Sequence, residues 1–284
     1  MLNSLTLTIA VENSASLENA SLWAEHGLSM LLDLDLGSKR MKLLWDTGAS
    51  GEVMLHNSRA LHIDIDEIDM ICLSHGHYDH TGGLMAAVQQ RKRRIPVWAH
   101  PDIFAPKLKA RPTLEYIGPP FTRVQAEAAG AVILECRGPV PLAPGLTTTG
   151  EVPRWEREET VEGFWTVRDG QYCPDAIPDD QALAAVLPDR GLAVITGCAH
   201  SGIINTIRQA QRITGVDELY AVIGGFHLMG ADQKRIDATA ESLRDLDPAL
   251  VRPGHCTGQK AVCSLQEALG DRCRPLAVGD VIDL

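Results

Sequence analysis

The stretch Ser74-His75-Gly76-His77-Tyr78-Asp79-His80-Thr81-Gly82-Gly83 places three histidines and an aspartate within residues 75–80. It follows a short apolar run, Ile68–Leu73, that reads as a buried strand, and it leads into Leu84–Arg93, which reads as a helix. A loop between two such elements is held at both ends. His75 and His77 are two residues apart, so in extended chain both rings face the same way. Asp79 and His80 turn toward a second position as the helix begins. Three imidazoles and a carboxylate suit zinc, iron or manganese better than calcium or magnesium.

Upstream of this stretch, Leu5–Val11 alternates as a half-buried strand. Met30–Leu36 and Met41–Trp45 form a second and third strand around Gly37-Ser38-Lys39-Arg40, the third ending at Asp46-Thr47-Gly48. Downstream, Pro96–Ala99, Ala131–Cys136, Leu146–Thr149, Ala182–Leu187, Gly191–Thr196, Leu219–Ile223, Leu250-Val251 and Leu276–Ile282 read as strands. Ser201–Thr214, Asp232–Leu246 and Ala261–Leu269 read as helices. Hairpins and strand–helix–strand units fill both halves with no linker. The expectation is therefore one α/β domain over 1–284, with two mixed sheets packed face to face and helices outside. The weakly patterned region around 101–180, rich in proline and basic residues at its start, suggests a lid or insertion.

Aromatic residues make up only 5%, so the core must rest on Leu, Val, Ile and Ala. A net charge of −11 argues against nucleic acid as a partner, though a small anionic substrate can still bind where a local cation dominates. The basic run Arg91-Lys92-Arg93-Arg94 reads as a solvated helix C-terminus. The seven cysteines include no C-x-x-C pair, which points away from a disulfide framework and toward a reducing, cytoplasmic setting. Residues 1–12 do not read as a signal peptide, and no apolar run approaches the roughly 18 residues that span a bilayer.

The H-x-H-x-D-H pattern at 75–80 resembles the hallmark of the metallo-β-lactamase superfamily, whose fold is a four-layer αβ/βα sandwich of two mixed sheets. The resemblance implies two divalent metal ions, with zinc expected and manganese or iron as alternatives. His75 and His77 would serve the first ion; Asp79 and His80 would serve the second. Asp46-Thr47-Gly48 would orient ligand imidazoles from behind. Pro253-Gly254-His255 matches a late segment that makes His255 a ligand of the second ion. The superfamily's G-H turn and bridging aspartate are not evident. Thr149-Gly150-Glu151 and Thr196-Gly197-Cys198-Ala199-His200 stand in their places, so His200 is the expected replacement ligand, with Cys198 and Glu151 as alternatives.

Further strings resemble one branch of metal-dependent hydrolases, the one that includes the archaeal 7,8-dihydropterin-6-methyl-4-(β-D-ribofuranosyl)aminobenzene-5′-phosphate synthase. They are A-E-H-G-L-S at 24–29, G-E-V-P-R at 150–154, D-D-Q-A-L at 179–183, T-G-C-A-H-S-G-I at 196–203 and I-G-G-F-H-L at 223–228. The likeness runs from about residue 24 to about residue 258. It implies a metal-dependent hydrolase in which a metal-bound hydroxide attacks an ester or phosphoester-type small molecule, which can be phosphorylated. Asp79 would ligate and orient the nucleophile, His227 would contact substrate or donate a proton, and Arg154 would hold a phosphate or carboxylate. His26 would flank the cleft, while His56, His62 and His100 carry no expected role. Two alternatives stand beside this reading: a synthase-like transfer that releases diphosphate, and a metal-binding sensor without catalysis.

Overall fold

The computed structural model describes residues 2–110, 112–159 and 162–284. A seven-stranded sheet runs in the order β17 (Val281–Asp283), β1 (Ser4–Val11), β2 (Ser29–Asp35), β3 (Arg40–Trp45), β4 (Met70–Cys72), β5 (Ile95–Ala99), β8 (Ala131–Glu135). A six-stranded sheet runs β16 (Leu250–Gly254), β15 (Leu219–Gly225), β14 (Gly191–Thr196), β13 (Ala182–Leu187), β10 (Leu146–Thr148), β9 (Pro141–Ala143). Their inner faces share one core. Leu5, Leu7, Ile9, Leu32, Leu43 and Trp45 of the first sheet meet Leu183, Ala185, Ala193, Ile195, Ala221 and Ile223 of the second. The alternation of β1 sets this arrangement, since its even-spaced leucines turn inward opposite Leu34, Leu32 and Met30 of β2. Small alanines on one sheet face large side chains on the other, which fills the gap without aromatics.

Each outer face is covered by helices. Leu44, Ile71 and Val97 pack under α1 (Gly51–Ala60), α3 (Leu84–Gln89) and α4 (Arg123–Ala129). Val194, Val222 and Val251 pack under α5 (Ile203–Thr214), α6 (Gln233–Leu246) and α7 (Gln259–Leu269), whose Ile207, Ile236 and Leu265 are fully buried. The result is the helix–sheet–sheet–helix layering anticipated from the pattern.

The weakly patterned region is not one insertion. Its middle supplies α4 and β8–β10 to the sandwich. Its two ends, β6 (Leu108–Ala110), β7 (Leu114–Tyr116), β11 (Phe164–Arg168) and β12 (Gln171–Pro174), form a third sheet in the order β12-β11-β6-β7. Two boundaries also differ from expectation. The helix after the His-rich stretch stops at Gln89, because the basic run leaves it to bind the turn at 65–67. Arg91 donates to Ile65 O, and Lys92 N donates to Asp66 Oδ1 at 3.0 Å. The last strand begins only at Val281, because residues 276–279 are tied into loops, with Leu276 N donating to Pro253 O and Gly279 N to Ile9 O.

In this fold β3–β4–β5–β8 and β14–β15–β16 run parallel. Asp46, the His-rich stretch, Cys198 and His200, His227, and His255 each follow the C-terminal end of one of these strands. The carboxyl edge of parallel strands is where open α/β sheets bind ligands.

Candidate metal centre

The 75–80 loop is extended through His77 and becomes α2 (Tyr78–Thr81). The first two rings thus share a side and the last two ligands swing to another. His75 Nε2 lies 3.0 Å from His77 Nδ1 and 3.2 Å from His200 Nε2. Tetrahedral ligands about 2.0–2.1 Å from one ion would stand about 3.3 Å apart. Beside this trio, His255 Nε2 lies 3.3 Å from Asp79 Oδ2 and 3.2 Å from His80 Nε2. His26 Nε2 also approaches Asp79 Oδ2, at 3.2 Å. The structure therefore brings His75, His77, Asp79, His80, His200 and His255 together beneath one cleft, which His77, Asp79 and His200 line.

These residues fit divalent ions. Burial pushes the imidazoles of His75 and His200 far down and that of His77 down to about 3, so all three are neutral, with lone pairs to offer. Three lone-pair nitrogens facing one another inside a protein leave too few protons to satisfy each other; a cation among them resolves the conflict. At His80, burial acts downward, but the Asp46 and Asp79 carboxylates outweigh it and raise the imidazole to about 9.

The supports behind the donors come from distant parts of the chain. Asp46 Oδ2 accepts from His80 Nδ1 at 2.7 Å and from Ser74 Oγ at 2.7 Å, while Oδ1 accepts from Ser74 N. Ser74 Oγ is in turn 2.9 Å from His75 Nδ1. Asp46 thus fixes which nitrogen of His80 faces the cleft. Asn13 Oδ1 does the same for His255 Nδ1 at 2.9 Å, and the buried Glu12 carboxylate accepts from His255 N. The D-D-Q string spans both sheets' loops. Asp179 Oδ2 accepts from Gly76 N at 2.7 Å, Asp180 Oδ2 accepts from Ser201 N at 2.8 Å, and Gln181 Nε2 donates to Leu73 O at 3.1 Å. Asp179 Oδ1 also pairs with Lys107, a fully buried cation that enters from the start of β6 and reaches Asp175 Oδ2 at 3.2 Å.

Above the donors is a cavity of about 580 Å³. His227 forms part of its wall, its Nδ1 without a hydrogen-bond partner among the described residues and its ring 4.1 Å from that of His200. Phe164 of β11 roofs the trio, with ring centroids 5.3 Å from His77 and 5.2 Å from His200. Lys109 and Glu115 of the third sheet stand at the same cavity. Two expected residues are placed elsewhere. Arg154 is not among the residues that line the cavity; its guanidinium donates to Ala176 O. Glu151 is turned away to His100 Nε2 at 3.0 Å and Arg137 at 2.8 Å, and so is no ligand in this arrangement. His56 stacks on Trp23. Glu12, Asn13, Lys107 and Phe164 gave no signal in the sequence, because each lies far along the chain from the ligands it serves.

Fold and site together define a metallo-β-lactamase-type centre, and the chain belongs to the metallo-β-lactamase superfamily, whose family model matches residues 26–170. It is 34% identical over 271 residues to the 7,8-dihydropterin-6-methyl-4-(β-D-ribofuranosyl)-aminobenzene-5′-phosphate synthase of Methanocaldococcus jannaschii, covering 93% of this chain and 92% of that one. It is 31% identical over 263 residues to a second protein of that organism, MJ0448, covering 92% and 94%. Its structure resembles that of Tm1679, a metal-dependent hydrolase of the β-lactamase superfamily, with a TM-score of 0.83, 24% identity and 99% of both chains covered. Among the described residues, no helix is long and apolar enough to cross a membrane.

Proposed function

We propose that the chain is a metal-dependent hydrolase of an ester or phosphoester-type small molecule, with zinc as the resident ion. The observation that carries this reading is the convergence of two donor groups, His75–His77–His200 and Asp79–His80–His255, beneath one open cleft that His77, Asp79 and His200 line. When bound, divalent ions supply polarisation of the scissile group and activation of water. The chain's own residues do the rest. Asp79 Oδ2, between His255 and His26, orients the attacking water by accepting its hydrogen bond. His227, with its unpartnered Nδ1, holds a substrate oxygen. Phe164 excludes solvent from one side, and Lys109 at the cavity attracts an anionic group.

A second reading is favoured by the full-length likeness to the M. jannaschii synthase: transfer between two small substrates with release of diphosphate. One assay separates the two. The zinc-loaded chain is given phosphodiester, thioester and lactone substrates, and separately a pterin diphosphate with and without a ribofuranosylaminobenzene phosphate. Hydrolysis in the first set supports the hydrolase. Diphosphate release that requires both partners supports the transfer. Bound zinc with no turnover in any arm refutes both and leaves a sensor.

A further inference from the structure

We propose that Cys198 is a ligand shared by both ion positions, and that the centre therefore selects a thiophilic ion. The inference rests on the reading of the cleft as a metal centre, but not on its being hydrolytic. Cys198 Sγ lies 3.0 Å from His80 Nε2. Five groups of three donor side chains in the described residues have ligand atoms within 4.8 Å of one another, and Cys198 belongs to three of them: with His75 and His80, with His200 and His227, and with His255 and Cys256. No other residue occurs in more than two. Its sulfur therefore stands between the trio at His75–His77–His200 and the donors at His80 and His255.

The backbone puts it there. Cys198 follows β14 by two residues, and a Cβ on Gly197 would fall 2.1 Å from Ser74 Oγ and 2.9 Å from Asp46 Oδ2. Only glycine lets the strand end rest this closely on the pair that supports His75 and His80, and the next side chain then enters the gap between the two donor groups.

Charge points the same way. Two divalent ions would bring four positive charges to donors among which Asp79 is the one carboxylate. The neighbouring acids are committed elsewhere: Asp46 to His80 and Ser74, Asp179 to Gly76 and Lys107, Asp180 to Ser201. A thiol that coordinates a dication is deprotonated, so Cys198 would add the missing negative charge. The second nearby thiol, Cys256, belongs to one donor group only, with Cys198 and His255, and its Sγ lies 3.5 Å from Cys198 O. Thiolate favours zinc, cobalt or iron over magnesium and manganese.

The test uses the full chain, stripped by chelation and titrated with cobalt(II) without oxygen while absorbance and bound cobalt are both measured. The parent should develop an intense near-ultraviolet sulfur-to-cobalt charge-transfer band that zinc abolishes and magnesium does not. Cys256→Ser should keep the band, and Cys198→Asp should bind cobalt without it. Cobalt bound by the parent with no such band, a band that survives in Cys198→Asp, or a band lost only in Cys256→Ser would each overturn the proposal. Failure of the parent to bind cobalt or zinc would refute the metal reading itself. If the Cys198 variant does not fold, alkylation mapping of the parent decides: zinc should shield Cys198 from iodoacetamide while exposed Cys263 reacts unchanged, and equal labelling of Cys198 with and without zinc refutes the ligand role.

Discussion

Asp179→Ala removes an acceptor from the backbone between two metal ligands and the nearest counter-charge of a buried lysine. Asp179 has no exposed surface, and Lys107 is 1% exposed. After truncation, Lys107 keeps only Asp175 Oδ2 at 3.2 Å, and Gly76 N loses its acceptor at 2.7 Å. Breaking a buried ion pair from one side costs about 3–5 kcal/mol. A chain of 284 residues, at about 2.1 cal/mol/K per residue, unfolds with an entropy of about 0.6 kcal/mol/K, so Tm should fall by roughly 5–8 °C. Because Gly76 separates His75 from His77, zinc affinity should fall as well, by about 10–100-fold. Thermal denaturation and competition with a chromophoric chelator measure the two effects. The triple variant Lys107→Met/Asp175→Asn/Asp179→Asn should be more stable than Asp179→Ala alone, since it leaves no unpaired buried charge. An Asp179→Ala chain that melts within about 1 °C of the parent and binds zinc equally well would refute the reasoning.

Asn13→Ala should weaken the second ion by about 10–100-fold and leave the first unchanged, as read by calorimetric titration, because His255 and its neighbour His26 both lose an Nδ1 partner while His75, His77 and His200 lose none. Chelating the ions should lower Tm by roughly 4–5 °C relative to a chain with free zinc at 100-fold over its dissociation constant, which corresponds to about 2.7 kcal/mol; an unchanged Tm would mean the donors hold no ion. Phe164→Ala should raise KM more than it lowers kcat, since the ring walls the cavity without donating to the reaction. Burial pushes the Glu159 carboxyl above its ordinary value of 4.5, against the opposing N–H groups of Ile204 and Asn205. A raised folded value means its stabilising share is full below about pH 4.5 and is lost as pH rises through that value. Glu159→Gln should therefore gain on the parent as pH rises above about 4.5 in denaturant melts of the chelated chain, and a pH-independent difference would contradict this.

The parts of the site that were legible in the sequence share one property: they are local. His75, His77, Asp79 and His80 form a pattern within one loop, and His200, Cys198 and His255 sit at strand ends flanked by glycine. The layered fold was legible for a similar reason, since strand and helix periodicities are read a few residues at a time. What escaped is non-local. Nothing near Asn13 announces His255, which lies 242 residues on. Lys107 looks like one more basic residue in a proline-rich stretch until Asp175 and Asp179 fold onto it. Arg154 lies in a distinctive string, yet its side chain reaches the backbone at Ala176 instead of lining the cavity. The third sheet escaped because its strands are short, β6 and β7 having three residues each, and because its halves lie on either side of chain that belongs to the main sheets.

That third sheet has a consequence for how such a protein can diversify. The donors are built on the sandwich, whereas one side of the cavity comes from two excursions, which bring Lys109 and Glu115 and then Glu162, Gly163 and Phe164 and contribute no donor to the described ligand groups. Substitutions and length changes there can alter which molecule is admitted without disturbing the inner-sphere chemistry. The tether is Lys107, whose ion pairs join the wall to the loop between the first two histidines. Grafting a new wall onto this scaffold should succeed when that lysine and its two aspartates are kept as a unit, and directed evolution of substrate range should concentrate its changes in these two segments.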